Sequence, residues 1–216
     1  MSTRTVPPFR ADHVGSLLRP EWLHAARAER AAGRISAEEL RAVEDRAVLE
    51  AVELQRSVGL RSVTDGEFRR ATWHMDFVYQ IGGIGKAPGN LVSTFHNEGG
   101  DIEFTPDAIR VGRRVSMDKT IFGEDFAFLQ SVAGDSVPKL TIPALTNGAI
   151  GGRPQLESRD DLKRRIEEAS AYVPLDQLCL SGQCGFASTA AGNALTADDQ
   201  KAKLELIVSV ADEVWG

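Results

Sequence analysis

Apolar residues recur along this chain in two alternating rhythms. Between residues 36 and 59 they fall at Leu40, Val43, Ala47, Val48, Ala51, Val52 and Leu54, one stripe of a 3.6-residue repeat. Ser36 and Glu39 form the capping-box pair that opens this helix, and Gly59 closes it. Upstream, Pro20 starts a helix that ends near Gly33. On either side of this helical pair lie short apolar or β-branched runs, one within Ala11–Pro20 and one at Leu60–Asp65. Each stops at small and polar residues, as strands do where they open onto a binding face. Strand, helix and strand in that order predict a parallel sheet.

Further along, residues 68–80 read as helical, Gly82–Gly89 as a loop, and Leu91–Val115 as an excursion of short antiparallel strands. Glu124–Val132 reads as a helix and Pro138–Leu145 as a third parallel strand, with Pro143 weakening its end. Residues 146–154 are turn formers with no element of their own. Ser158 and Asp161 cap a helix to about Tyr172, and Leu175–Leu180 is the last strand. Thr196 and Asp199 cap a final helix with Leu204, Ile207, Val208, Val210 and Ala211 on its apolar side. The fold class is α/β with about four strands suited to a parallel sheet, half of what a closed (β/α)8 barrel requires. The chain reads as one domain, 1–216, with an N-terminal part (1–145), a junction (146–155) and a C-terminal part (156–216).

Composition narrows the partners. The net charge of −6 comes with no block of Lys or Arg, which argues against nucleic acid and against an anionic membrane surface. No apolar run reaches spanning length, and the N-terminus lacks the apolar core of a signal peptide. Cys179 and Cys184 are the only cysteines, too few for a disulfide framework, so a cytoplasmic protein is expected. An odd separation on a strand would turn them to opposite sides, Cys179 inward against a helix and Cys184 at the strand mouth.

Candidate chemistry gathers at the strand ends. Asp65 and Glu67 are two apart, so both can face one side and hold an ammonium group, bind a metal, or divide acid and base roles. The alternative is an exposed turn whose carboxylates pair with Arg69 and Arg70. Val14, Gly15 and Ser16 offer a close backbone approach and a hydroxyl for a carboxylate or phosphate, or form a simple turn. His13 has the setting of a structural histidine, and His74 that of a helix-surface one. Gly85-Lys86 lacks the spacing of a phosphate-binding loop, and Gly148–Gly152 lacks the dinucleotide fingerprint. Cys184 could serve as nucleophile or metal ligand, but has neither a His base nor a second ligand at informative spacing.

Taken together, three segments are far more specific: Arg10–Pro20, Thr64–Arg70 followed by Trp73–Phe77, and Leu180–Ser188. They resemble cobalamin-independent methionine synthase, and more closely the stand-alone homologues of its catalytic C-terminal domain. The stretch Asp198–Leu204 and the closing Val214–Gly216 match the end of those proteins as well. The resemblance implies a (β/α)8 barrel and a 5-methyltetrahydropteroyltriglutamate–homocysteine methyltransferase. In that family zinc holds a homocysteine-type thiol and a methyl group arrives from a methylfolate or related donor. By the same resemblance, Cys184 corresponds to the last zinc ligand and Glu67 to the carboxylate that grips the substrate's amino group. Val14, Gly15 and Ser16 correspond to the segment holding its carboxylate end.

The departures are as informative. Gly182 stands where a proline is expected before Gln183-Cys184. The family's acidic strand end, His-x-Cys pair and completing glutamate, which follow the strand at Thr141, have no counterpart here. The chain therefore reads as internally deleted, with three of four implied zinc ligands gone. The surviving strands would be consecutive around a barrel, leaving two open edges and a bare apolar face that invite a homo-oligomer. The competing reading is a catalytically inactive homologue that binds an amino-acid-like ligand or another copy of itself.

Overall fold

The computed structural model describes residues 9–72, 74–89, 92–97, 100–105, 107–142, 156–171, 175–182, 186 and 195–216. Within them the chain is α/β, with short parallel strands backed by helices and an antiparallel excursion. Strand β1 (Ala11–Asp12) leads into α1 (Glu21–Ala31) and α2 (Ala37–Ser57), then β2 (Ser62–Val63). The start of α2 is built as its sequence dictates: Ser36 Oγ accepts from Glu39 N at 3.1 Å, and Glu39 Oε2 accepts from Ser36 N at 2.7 Å. Its end is set by Gly59 at φ 91, a left-handed residue just past the helix.

β1 pairs in parallel with β8 (Leu180–Ser181), and β2 pairs in parallel with β7 (Val137–Pro138). Side chains join the two pairs: Ser62 Oγ donates to Asp12 Oδ1 at 2.7 Å and Thr64 Oγ1 to the Gly15 carbonyl at 2.7 Å. The spatial order is therefore β8-β1-β2-β7, with the last strand of the chain beside the first. No closed barrel forms among the described residues.

The two sides of this strand layer differ in character. Ala11 and Val63 face the helices, where Leu17, Leu23, Val48, Val52, Leu129 and Leu204 form one buried cluster. Helix α4 (Gly123–Val132) and helix α6 (Ala197–Trp215) supply the last two of those residues. The opposite side carries polar side chains beside Val137, which stands in register with Ser62. Asp12 and Ser62 project there by the two-residue alternation of strands, and Lys139 Nζ reaches Asp12 Oδ1 at 2.6 Å. The bare apolar face expected from the sequence is thus not what these strands present. The exposed apolar side chains sit instead at the strand ends, at Val14, Leu140 and Ile142.

Other expectations change with tertiary pairing. Gly82–Ala87, read as a loop, is strand β3, antiparallel to β6 (Ala108–Ser116), with a register shift between Gly82 and Ile84. Gly83 sits in that irregularity at φ 87, where an added Cβ would lie 2.7 Å from the carbonyl oxygens of Arg113 and Arg114. β4 (Ser93–Asn97) and β5 (Gly100–Phe104) complete the antiparallel excursion that the alternating pattern predicts. Of the helix expected over 68–80, only α3 (Met75–Val78) forms, because a tight turn occupies the preceding residues. The strand expected at 175–180 begins as a single 3-10 turn, Leu175–Gln177, and α5 (Arg159–Ser170) precedes it. Cys179 is exposed rather than packed inward. The junction at 146–155 lies outside the described residues.

Candidate functional site

Beyond the end of β2 the chain reverses within two residues. Gly66 has φ 65 and Glu67 has φ 58, a left-handed conformation that a side-chain-bearing residue adopts only when its surroundings hold it there. Asp65 supplies part of that hold, its Oδ1 accepting from Glu67 N at 2.9 Å. The two carboxylates therefore do not act as a matched pair: one braces the turn and the other is presented by it.

Glu67 is buried, and its Oε1 accepts from Thr141 Oγ1 at 2.8 Å and lies 3.5 Å from Arg70 Nη1. Arg70 is itself held by the Thr141 carbonyl at 2.8 Å and lies over the Phe122 ring at 4.1 Å. Arg19 donates to the backbone carbonyls of Glu67 and Arg70, both at 2.9 Å. Burial raises the Glu67 carboxyl above its ordinary range, outweighing the opposing pull of Arg70 and Thr141. Arg69 turns away from the site, pairing with Asp45 and Asp125 of the helical layer.

The Val14–Ser16 segment runs alongside. Gly15 has φ 150, and a Cβ there would fall 2.2 Å from Thr141 Cγ2. Its neighbours are fixed by the backbone: the Ser16 carbonyl accepts from Phe186 N at 2.9 Å, and Leu17 N donates to the Gly66 carbonyl at 3.0 Å. Ser16 is buried and Val14 exposed. Thus Gly15, Glu67 and Thr141, from three different strand ends, meet at one mouth.

Three residues of this arrangement were not singled out from the sequence. Arg19 and Thr141 carry no spacing signal. Gln55 does, because it continues the α2 apolar stripe from Ala51 and Val52. It is fully buried, bonding His13 Nε2 and Thr64 N through Oε1, each at 2.8 Å, and the Thr64 and Ala51 carbonyls through Nε2. His13 is structural, as its setting suggested. Burial, then the charge of Lys139, pushes its pKa down to about 4 despite the bond to Gln55. His74 is half-buried at the start of α3.

Cys184 lies outside the described residues. Among those described, no three of His, Cys, Asp and Glu come together in a way that could hold a metal ion. With Asp65 spent on the turn and His13 behind the strands on Gln55, the described donors do not fit the zinc shell that the family resemblance implies.

No family model matches the chain. Among curated proteins it is 29% identical to the uncharacterized protein YxjG of Bacillus subtilis (strain 168), over an alignment covering 98% of this chain and 96% of the relative. It is 26% identical to YxjH of the same organism, covering 96% and 95%. Two solved structures superpose on nearly all of it. One, from Listeria monocytogenes, carries the provisional name of a vitamin-B12-independent methionine synthase (TM-score 0.72, 24% identity, 98% of this chain and 99% of that one). The other is a B12-independent methionine synthase from Shewanella sp. W3-18-1 in complex with selenomethionine (TM-score 0.62, 12% identity, 95% and 97%). The fold is that of the B12-independent methionine synthases. No helix among the described residues is long and apolar enough to cross a membrane.

Proposed function

We propose that the mouth binds the amino-acid end of a homocysteine-type thiol, and that the chain is a methionine-synthase-like protein of S-methyl transfer from a methylfolate-type donor. One observation carries this reading: a buried glutamate, Glu67, held on a left-handed turn and braced by Thr141 and Arg70. A carboxylate whose ionised form is penalised by burial gains strongly from a ligand ammonium group brought against it. The Val14–Ser16 backbone, drawn close because Gly15 has no Cβ, lies where the ligand's carboxylate end would be received. The selenomethionine held by the Shewanella protein supports the ligand class, since it is the selenium analogue of the methylated product.

On this reading the four strands are neighbours in a (β/α)8 barrel of a cytoplasmic protein, and the junction at 146–155 marks where barrel residues are absent. Zinc supplies thiol activation in the family the sequence resembles. Among the described residues no group furnishes its shell. That donor set favours a second reading of the same site, in which the chain binds its ligand without turning it over.

Calorimetric titration with homocysteine and with methionine tests the binding. Micromolar to millimolar affinity in the wild type, weakened at least tenfold in Glu67→Gln, is expected; equal affinity in both proteins would remove Glu67 from the site. A methyl-transfer assay with methyltetrahydrofolate and added zinc then separates turnover from binding alone.

A further inference from the structure

We infer that Arg19 and Arg27 are positioning residues of the mouth: their guanidinium groups hold the Glu67 turn in its left-handed form and so set where its carboxylate meets a ligand's ammonium group. The ligand named here rests on the proposed function; the clamp itself does not.

The turn needs holding. With Gly66 at φ 65 and Glu67 at φ 58, two successive residues are left-handed, and only the first lacks a Cβ. Glu67, Phe68 and Arg70 are buried, so their carbonyls must find donors inside the protein. The Glu67 carbonyl accepts from Arg70 N at 3.0 Å. No backbone N–H among the described residues serves the carbonyls of Phe68 and Arg70.

Guanidinium groups serve them instead. Arg19 Nη2 donates to the Glu67 and Arg70 carbonyls, both at 2.9 Å. Arg27, on α1, donates through Nη1 to the Arg70 carbonyl at 3.0 Å and through Nη2 to that of Phe68. Both arginines thus clasp Arg70, whose own Nη1 lies 3.5 Å from Glu67 Oε1. Any movement of Arg70 shifts the turn and the brace on the carboxylate together. Glu67 is therefore held at both ends, its carbonyl by Arg19 and its carboxylate by Thr141.

Two cations that converge on one carbonyl oxygen repel each other. Burial, and then the charge of Arg27, lowers the Arg19 pKa to about 10. The compensating carboxylates come from several elements. Glu67, Asp76 and Asp65 favour the charged form of Arg19. Glu44, on α2, pairs with Arg27 Nη2 at 3.1 Å, with side chains only 11% and 19% exposed. Glu44 thereby ties Arg27, and through it the turn, to the helical layer. A planar fork of donors can span two carbonyls and a carboxylate at once, which the single ammonium of a lysine cannot.

Nuclear magnetic resonance on the ligand-free protein reads the clamp through the one-bond Cα–Hα coupling of Glu67, which differs between positive and negative φ. The positive-φ value is expected in the wild type and in Arg30→Lys, a control at an exposed position of α1. It should be lost or averaged in Arg19→Lys and Arg27→Lys, which keep the charge but not the fork. Calorimetry, at a temperature where circular dichroism shows these two variants folded, should find methionine bound roughly tenfold more weakly than by the wild type. Folded lysine variants that keep the wild-type coupling overturn the inference, as does wild-type affinity in a variant that has lost it. A wild type that binds neither methionine nor homocysteine counts against the proposed function, and the coupling still decides the clamp. Should the lysine variants not fold, the wild type decides alone. Slow rotation of the Arg19 and Arg27 guanidinium groups is expected in nitrogen-15 spectra, and free rotation of both overturns the inference.

Discussion

Thr141 occupies the space that a side chain on Gly15 would need: its Cγ2 lies 2.2 Å from where that Cβ would stand. The same threonine donates its hydroxyl to Glu67 Oε1 at 2.8 Å. The segment from β1 and the turn after β2 are thus coupled through one residue at the end of β7. Gly15→Ala must push Thr141 away and also place a side chain at φ 150. A loss of about 1–3 kcal/mol in stability is expected, together with at least tenfold weaker binding of methionine. Thr141→Val removes only the hydroxyl and should cost about 1 kcal/mol. Thermal unfolding and calorimetry measure both, and an alanine variant that binds like the wild type would break the coupling.

Binding should depend on pH through Glu67. Burial raises its carboxyl above the ordinary range, so it ionises later than an exposed glutamate as pH rises. Only the ionised form attracts an ammonium group. Methionine keeps one charge state through mildly acidic and neutral pH, so its affinity should climb with a midpoint above the 4.5 of an ordinary glutamate. The same titration of Glu67→Gln should be flat. A wild-type midpoint at or below 4.5 would contradict the buried setting.

Stability should fall in mild acid because of His13. Its folded pKa is about 4, against 6.5 for the free side chain, so the unfolded chain takes up a proton that the folded one refuses. The contribution is complete above pH 6.5 and is lost as pH falls toward 4, in total on the order of 3 kcal/mol. Urea unfolding at pH 7 and pH 4.5 should show most of that difference in the wild type. In His13→Leu the difference should shrink by at least half.

Gln55→Leu should be among the most damaging single changes to α2. It would strip the partners from the Thr64 N–H and carbonyl and from His13 Nε2 without removing those groups from the interior. A loss of about 2–4 kcal/mol is expected from unsatisfied buried polar atoms. At the exposed Leu49, Leu49→Gln should stay within about 0.5 kcal/mol of the wild type. Denaturant midpoints decide it.

Local chemistry was legible where it is self-contained. The capping boxes at Ser36 and Thr196 and the helices they open follow from residues within one or two turns, and the structure builds them so. The strand-end positions of Gly15 and Glu67 were legible for the same reason, since an apolar run that stops at small polar residues marks a strand mouth. Strand length, the glycine-rich β3 and the short α3 were not, because a ladder partner or a strained turn set them from elsewhere in the chain.

By itself, then, the sequence determined the long capped helices and the parallel pairing of the strands around them, because near-neighbour interactions and side-chain periodicity decide those. Only the tertiary structure decided that Thr141 joins Gly15 to Glu67, that Arg19 supports the turn from 48 residues away, and that Gln55 is a buried hub rather than a lapse in an apolar stripe. It also decided that Asp12 and Lys139, 127 residues apart, form an ion pair on the side of the strands away from the helices. Contacts at such separations depend on how the chain closes its loops, and no local pattern records that.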